Sequence, residues 1–178
     1  MTRNFERLLC VLAGMLLAGS AIADGAADAV TGSFRHAGPA NDPGDVIYSK
    51  VISAHEAFAD RPQRGFIYAV RPDGYTWEYI DLSDEDACVN VYEEGKARIG
   101  GVISDGIGPA LGAWFGWALE DRGEPGRLTD LSTTLRFADA AGLQAWCASG
   151  DIGYALHVYP HIVVAGNLQV HDYEADGD

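Results

Sequence analysis

The stretch "ACVNVYEEGKARIGGVIS", residues 87–104, decides how this chain is to be read. Two runs rich in Val, Ile and Tyr, 87–93 and 97–104, flank a Glu-Glu-Gly-Lys turn at 93–96. Branched and aromatic residues suit a pleated surface, and a glycine supplies the positive φ that a tight hairpin needs. The stretch predicts two antiparallel strands joined by a short turn.

Outward from this hairpin the same grammar repeats. Strands are predicted at 32–36, 46–57, 65–71, 76–82, 113–120, 131–137, 155–163 and 168–173, with turn signals "RPDG" at 71–74, "DGIGPALG" at 105–112 and "DRGEPG" at 121–126. Many short strands with hairpin-length links predict an all-β fold, an antiparallel barrel or sandwich of about eight to ten strands. Strands do not alternate with long helices, which disfavours a doubly wound α/β fold. One short helix is predicted near the C-terminal third, "DAAGLQAWC" at 139–147, with Asp139 as its cap and Gly142 weakening it.

The N-terminal residues carry a different signal. Arg3 to Arg7 precede the apolar run "LLCVLAGMLLAGSAIA", which ends in the small-residue pattern Ala21-Ile22-Ala23. This predicts a secretory signal peptide over 1–23. A retained anchor is the alternative, but the run is shorter than the roughly 20 residues that a membrane span needs. Cys10 lies at the front of that run, a poor place for acylation. A disordered lead-in is expected over 24–30, one all-β domain over 31–173 and an acidic tail over 174–178.

Charge narrows the partners. The whole chain is formally −14, and loss of a peptide carrying Arg3, Arg7 and Glu6 makes it −15. So acidic a chain repels phosphate backbones and anionic lipid, so neither nucleic acid nor a membrane surface is an expected partner. The expected partners are a small ligand or another protein. Two cysteines remain after cleavage, Cys88 and Cys147. In an oxidising compartment, periplasm or medium, an even count reads as one disulfide, and two buried thiols are the alternative.

Chemistry is sparsely signalled. The chain has no GxSxG, HExxH or P-loop pattern, and Gly106-Ile107-Gly108 lacks the dinucleotide spacing, so no cofactor is expected. The candidate acid or base groups are His55, Glu56 and Asp121, each of which needs a partner from another strand. Glu120, Asp121, Glu124 and Asp130 could offer oxygen ligands to calcium, without EF-hand spacing. Core packing is the ordinary reading of Trp114, Phe115 and Trp117, but they are also the candidate binding residues, because neighbours on a strand face opposite ways and large aromatics line binding surfaces.

Three of the five histidines fall in "ALHVYPHIVVAGNLQVHD", 155–172. A hairpin with the loop Ala165-Gly166-Asn167 sets His161 opposite His171, with β-carbons about 5 Å apart. His157, four residues from His161, lies about 13 Å away along the strand. The pair offers two ligands where zinc needs more, so a solvent-facing hairpin is the ordinary reading and a metal pair the alternative.

The order "GSFRHAG", "VISAHEAF", "GFIYAV", "ACVNVYEEGKARIGGVIS", "LEDRGEPGRLTDLS", Cys147 and "VVAGNLQVHD" resembles a broad set of uncharacterised secreted bacterial β domains. The resemblance covers roughly residues 32–172 and departs at the helical "DAAGLQAWC". It implies the β architecture and a Cys88–Cys147 bridge, and it implies no activity. The expectation is therefore an exported, noncatalytic binding or interaction module of the envelope or medium. The alternatives are a small barrel-cavity enzyme of the isomerase or cyclase type, and a divalent-metal-binding envelope protein.

Overall fold

The computed structural model describes residues 27–39, 46–58, 60–71, 77–107, 110–123, 130–149 and 161–172. The expected signal peptide, the acidic tail, the 72–74 turn, Glu124 and the segment holding His157 lie outside the described residues. The described elements are β1 (Ala29–Pro39), β2 (Val46–His55), β3 (Arg64–Val70), β4 (Trp77–Asp81), β5 (Cys88–Glu93), β6 (Lys96–Val102), β7 (Asp105–Ile107), β8 (Trp114–Glu120), β9 (Leu131–Phe137), the helix α1 (Ala140–Ala148) and β10 (His161–His171).

The deciding hairpin forms as read. Cys88 pairs with Gly100 and Val91 with Ala97, and Gly95 turns the chain at φ 72°. All ten strands join one antiparallel sheet in the order β5-β6-β8-β9-β10-β1-β2-β3-β4-β7. β6, near one end of that order, runs almost directly into β7 at the other, and Ser104 N–H donates to Tyr79 C=O at 3.0 Å. That passage curls the sheet until its ends approach. No ladder joins β5 to β7 among the described residues, so the barrel is open.

Strand alternation fills the inside. Val30 and Phe34 of β1, Ile52 and Ala54 of β2, Ile67, Ile80, Ile99, Trp117, Leu119, Val163 and Leu168 belong to one buried cluster drawn from eight strands and their flanks. Each large side chain so buried contributes about 1.5–3 kcal/mol. Ala29 and Val30 are already paired and buried, so the lead-in stops short of residue 30.

The helix forms one residue later than expected, with Asp139 Oδ1 accepting from Gly142 N–H at 2.8 Å. It lies over a glycine pair, since Gly100 and Gly116 are register partners and a β-carbon on either would fall within 3.1 Å of Leu143 Cδ1. The Cys88–Cys147 disulfide bonds it to β5, with Leu143 buried beside the bridge. Arg98, fully buried on β6, points its Nη1 at the carbonyls of Trp146 and Ser149 and at the Ser149 hydroxyl, 2.9 Å away. A guanidinium there satisfies carbonyls that the last helical turn leaves open. Trp114 faces this helix side.

The 155–172 hairpin is corrected. β10 runs unbroken through Ala165-Gly166-Asn167 along the full length of β1, with the register slipping between Arg35 and His36. Gly166 adopts φ 90° inside the strand, where a β-carbon would lie 2.1 Å from Ser33 O. The glycine therefore makes a kink instead of a turn, because an eleven-residue β1 offers a ladder to both halves. The slip flips the first half, so that Val163 is fully buried. β7 falls in a segment expected to be only turn.

Candidate functional site

Lys50 is the residue that the fold treats most unexpectedly. It shares the phase of Ile52 and Ala54 on β2, so alternation turns it inward, and it is 2% exposed. Its register neighbours are Phe34 on β1 and Ala69 on β3, and Ala69 in turn pairs with Glu78 on β4. On the other wall β8 presents Phe115 and Trp117, and Thr134 of β9 pairs with Trp117. Together with Arg71 and Ala110 from the adjoining loops, these residues line a cavity of about 220 Å³. That is below the roughly 300–1,000 Å³ of drug-sized pockets, so it suits a compact molecule.

The lining is mostly apolar and ends on one amine. Lys50 Nζ sits 4.7 Å from the centroid of the Trp117 ring, and Phe115 stacks on Trp117 at 6.2 Å. Among the described residues Nζ makes no hydrogen bond, and neither do the buried Trp117 Nε1, Ser132 Oγ and His161 Nδ1. Buried polar atoms without partners are rare enough that each needs a cause. Burial holds the Lys50 pKa well below the ordinary lysine value, outweighing the pull of Glu78. Burial likewise raises Glu78, against the opposing influence of Arg71 and Lys50.

Two histidines border the amine. His36, fully buried, and His161 lie with ring centroids 4.9 Å apart at 72°. Burial first, and Lys50 second, depresses both; His161 falls to about 4 and His36 lies lower still. Above the unfolded histidine value near 6.5 neither state carries these protons. As the pH falls below it, the unfolded chain takes up protons that the fold refuses, and stability drops by about 1.4 kcal/mol per pH unit for each proton refused outright. His36 dominates, the partly open His161 adds a discounted share, and Glu78 opposes both. Urea midpoints should therefore fall steadily from pH 6.5 to 4. His36→Phe should flatten that fall, and an unchanged slope would contradict the assignment.

The other candidates lie elsewhere. Phe115 and Trp117 line the cavity, whereas Trp114 packs towards Leu143, Cys147 and Trp146 on the opposite face. Glu56 Oε2 accepts from Val91 N–H at 3.1 Å, and Asp121 Oδ2 from Val170 N–H at 3.2 Å, so both carboxylates serve strand edges. His55, paired in register with Arg64, closes β2 at the end of the barrel away from the cavity, and burial and Arg64 lower its pKa. None of the three lines the cavity. Asp130 accepts from Arg122 N–H at 3.0 Å, and Glu120 pairs with Arg122 at 2.9 Å, so these loop carboxylates already serve protein donors. His161 and His171 stand at opposite ends of one strand, about 33 Å apart at strand rise, which removes the metal pair. No group of three or more metal-ligating side chains occurs among the described residues.

The motif search missed Lys50, Glu78, His36 and Thr134. The available signal was phase: Lys50 alternates with Ile52 and Ala54, and Glu78 with Ile80. The arrangement defines a class, an open antiparallel barrel with a buried amine at the floor of a small apolar cavity. Beyond that class, the chain matches no family model, no curated protein and no solved structure. Among the described residues no helix is long and apolar enough to cross a membrane.

Proposed function

We propose that this protein is an exported, noncatalytic binding module that holds one compact, largely apolar small molecule inside the barrel. The observation that carries this reading is the cavity walled by Phe115 and Trp117 and ending on the Lys50 amine, which has no hydrogen-bond partner among the described residues. An apolar wall supplies burial and a few polar groups fix orientation, the usual division of labour in a ligand pocket. The disulfide and the N-terminal sequence support a place in the periplasm or medium.

Titration with benzyl alcohol and phenol, followed by tryptophan fluorescence, tests the reading, because Trp117 lines the cavity. Saturable quenching is expected for the wild type and its loss in Ala69→Phe, which fills the space from β3. Absence of a saturable signal with both probes, together with a bare mass for the native protein under gentle ionisation, would overturn it.

A further inference from the structure

We propose that Lys50 is a nucleophilic amine that captures a small carbonyl compound, an aldehyde or ketone with a flat apolar body, as an imine within the barrel. The inference rests on the ligand-cavity reading and names its substrate class. Lys50 is fully buried, has no hydrogen-bond partner among the described residues and borders the cavity beside Trp117. The charged and titratable groups around it are His36 from β1, Glu78 from β4, His161 from β10 and Arg71 at the β3 end. Glu78 and Arg71 stand in the same lining with opposite charges, which favours an uncharged carbonyl. Burial pushes the amine towards its neutral form, against the opposing pull of Glu78 and of the Trp117 face, and a neutral lysine is the nucleophilic form.

The step balances without a redox partner. The nitrogen lone pair forms a bond to the carbonyl carbon while the carbonyl oxygen takes up a proton, giving a carbinolamine. The C–O bond then breaks, the oxygen leaves as one water with both protons from the amine, and a C=N bond remains. Glu78 is placed on the same cavity to pass protons between nitrogen and oxygen, and burial raises its pKa. Exclusion of water from the amine slows the reverse hydrolysis.

The chain has two lysines, which makes the test clean, since Lys96 is ion-paired to Glu93 at 2.6 Å and serves as an internal control. The intact protein is incubated with benzaldehyde and sodium cyanoborohydride at neutral pH, and the adducts are located by peptide mapping. The hydride reduces the imine to a stable benzylamine. Lys50 should be labelled at least about tenfold faster than Lys96, as expected for a neutral amine against an ammonium. Glu78→Gln should slow the labelling of Lys50. Labelling of Lys96 or the N-terminal amine without Lys50 overturns the imine. If benzyl alcohol still quenches in that case, the cavity reading stands and only the covalent step falls. If neither binding nor Lys50 labelling occurs, both fall. The wild-type peptide map decides the matter even if a variant folds poorly.

Discussion

Replacing both Cys88 and Cys147 by alanine is expected to lower the unfolding free energy by about 4 kcal/mol. The bridge closes a span of 59 residues, and restricting the unfolded chain over a loop of that length has an effect of this size in the entropy model. The folded state also loses a fixed point. Cys147 belongs to the last turn of α1 and Cys88 to β5, which among the described residues pairs with β6 alone. What would still hold the helix is Leu143 on its glycine seat, Arg98 at its C-terminal carbonyls and Asn90 Nδ2 donating to Cys147 O at 2.6 Å. Urea unfolding of the double variant measures the loss. A drop under about 1 kcal/mol, within the range of an ordinary surface change, would mean that these contacts hold the helix without the bridge.

Lys50→Met should act in the opposite direction, stabilising the protein by an amount on the order of 2–4 kcal/mol at pH 7 while abolishing capture of the carbonyl. The unfolded chain keeps its lysine protonated up to the ordinary value near 10.4, whereas burial makes the folded state give up that proton at a lower pH. Wild-type stability is therefore complete above that value and is lost as the pH falls towards the depressed folded pKa. Methionine has a similar length and no charge to desolvate, so the gain should shrink as the pH is raised from 7 to 10. A destabilised variant, or a gain that does not vary with pH, would contradict a buried neutral amine. A residue that weakens the fold where it stands is the expected mark of a functional position.

Most of the architecture was legible because its signals are local. Gly95 between two branched runs sets one hairpin, Asp139 caps the helix, and period-two alternation places Ile52, Ile67, Ile80 and Ile99 inside. The misreadings share a different cause. Gly166-Asn167 carries a hairpin signal, but whether a glycine at positive φ turns the chain or kinks a strand depends on the neighbour, and here β1 is long enough to hold both halves. β7 exists because β4 offers an edge to three residues that have little strand character of their own. The site was the least legible part. Lys50, Glu78, Phe115, Trp117 and Thr134 come from four separate strands, and only the closing of the sheet brings them to one cavity.

The place of β10 between β9 and β1 also sets a timetable. β1 finds one partner, β2, as soon as the first hairpin is made, yet its other edge waits for a strand more than a hundred residues downstream. Among the described residues the pairs of β9 with β10 are His161 with Ser132 and Ile162 with Leu131, far fewer than those of β10 with β1. Pairings so distant in sequence form late, because a long loop must close before they are rewarded. During vectorial synthesis the helix and both cysteines emerge before β10, so the disulfide can lock one half while the edge of β1 is still exposed. The barrel is thus completed by its latest strand, and a chain interrupted before His161 would present that unpaired edge to other chains as an aggregation site.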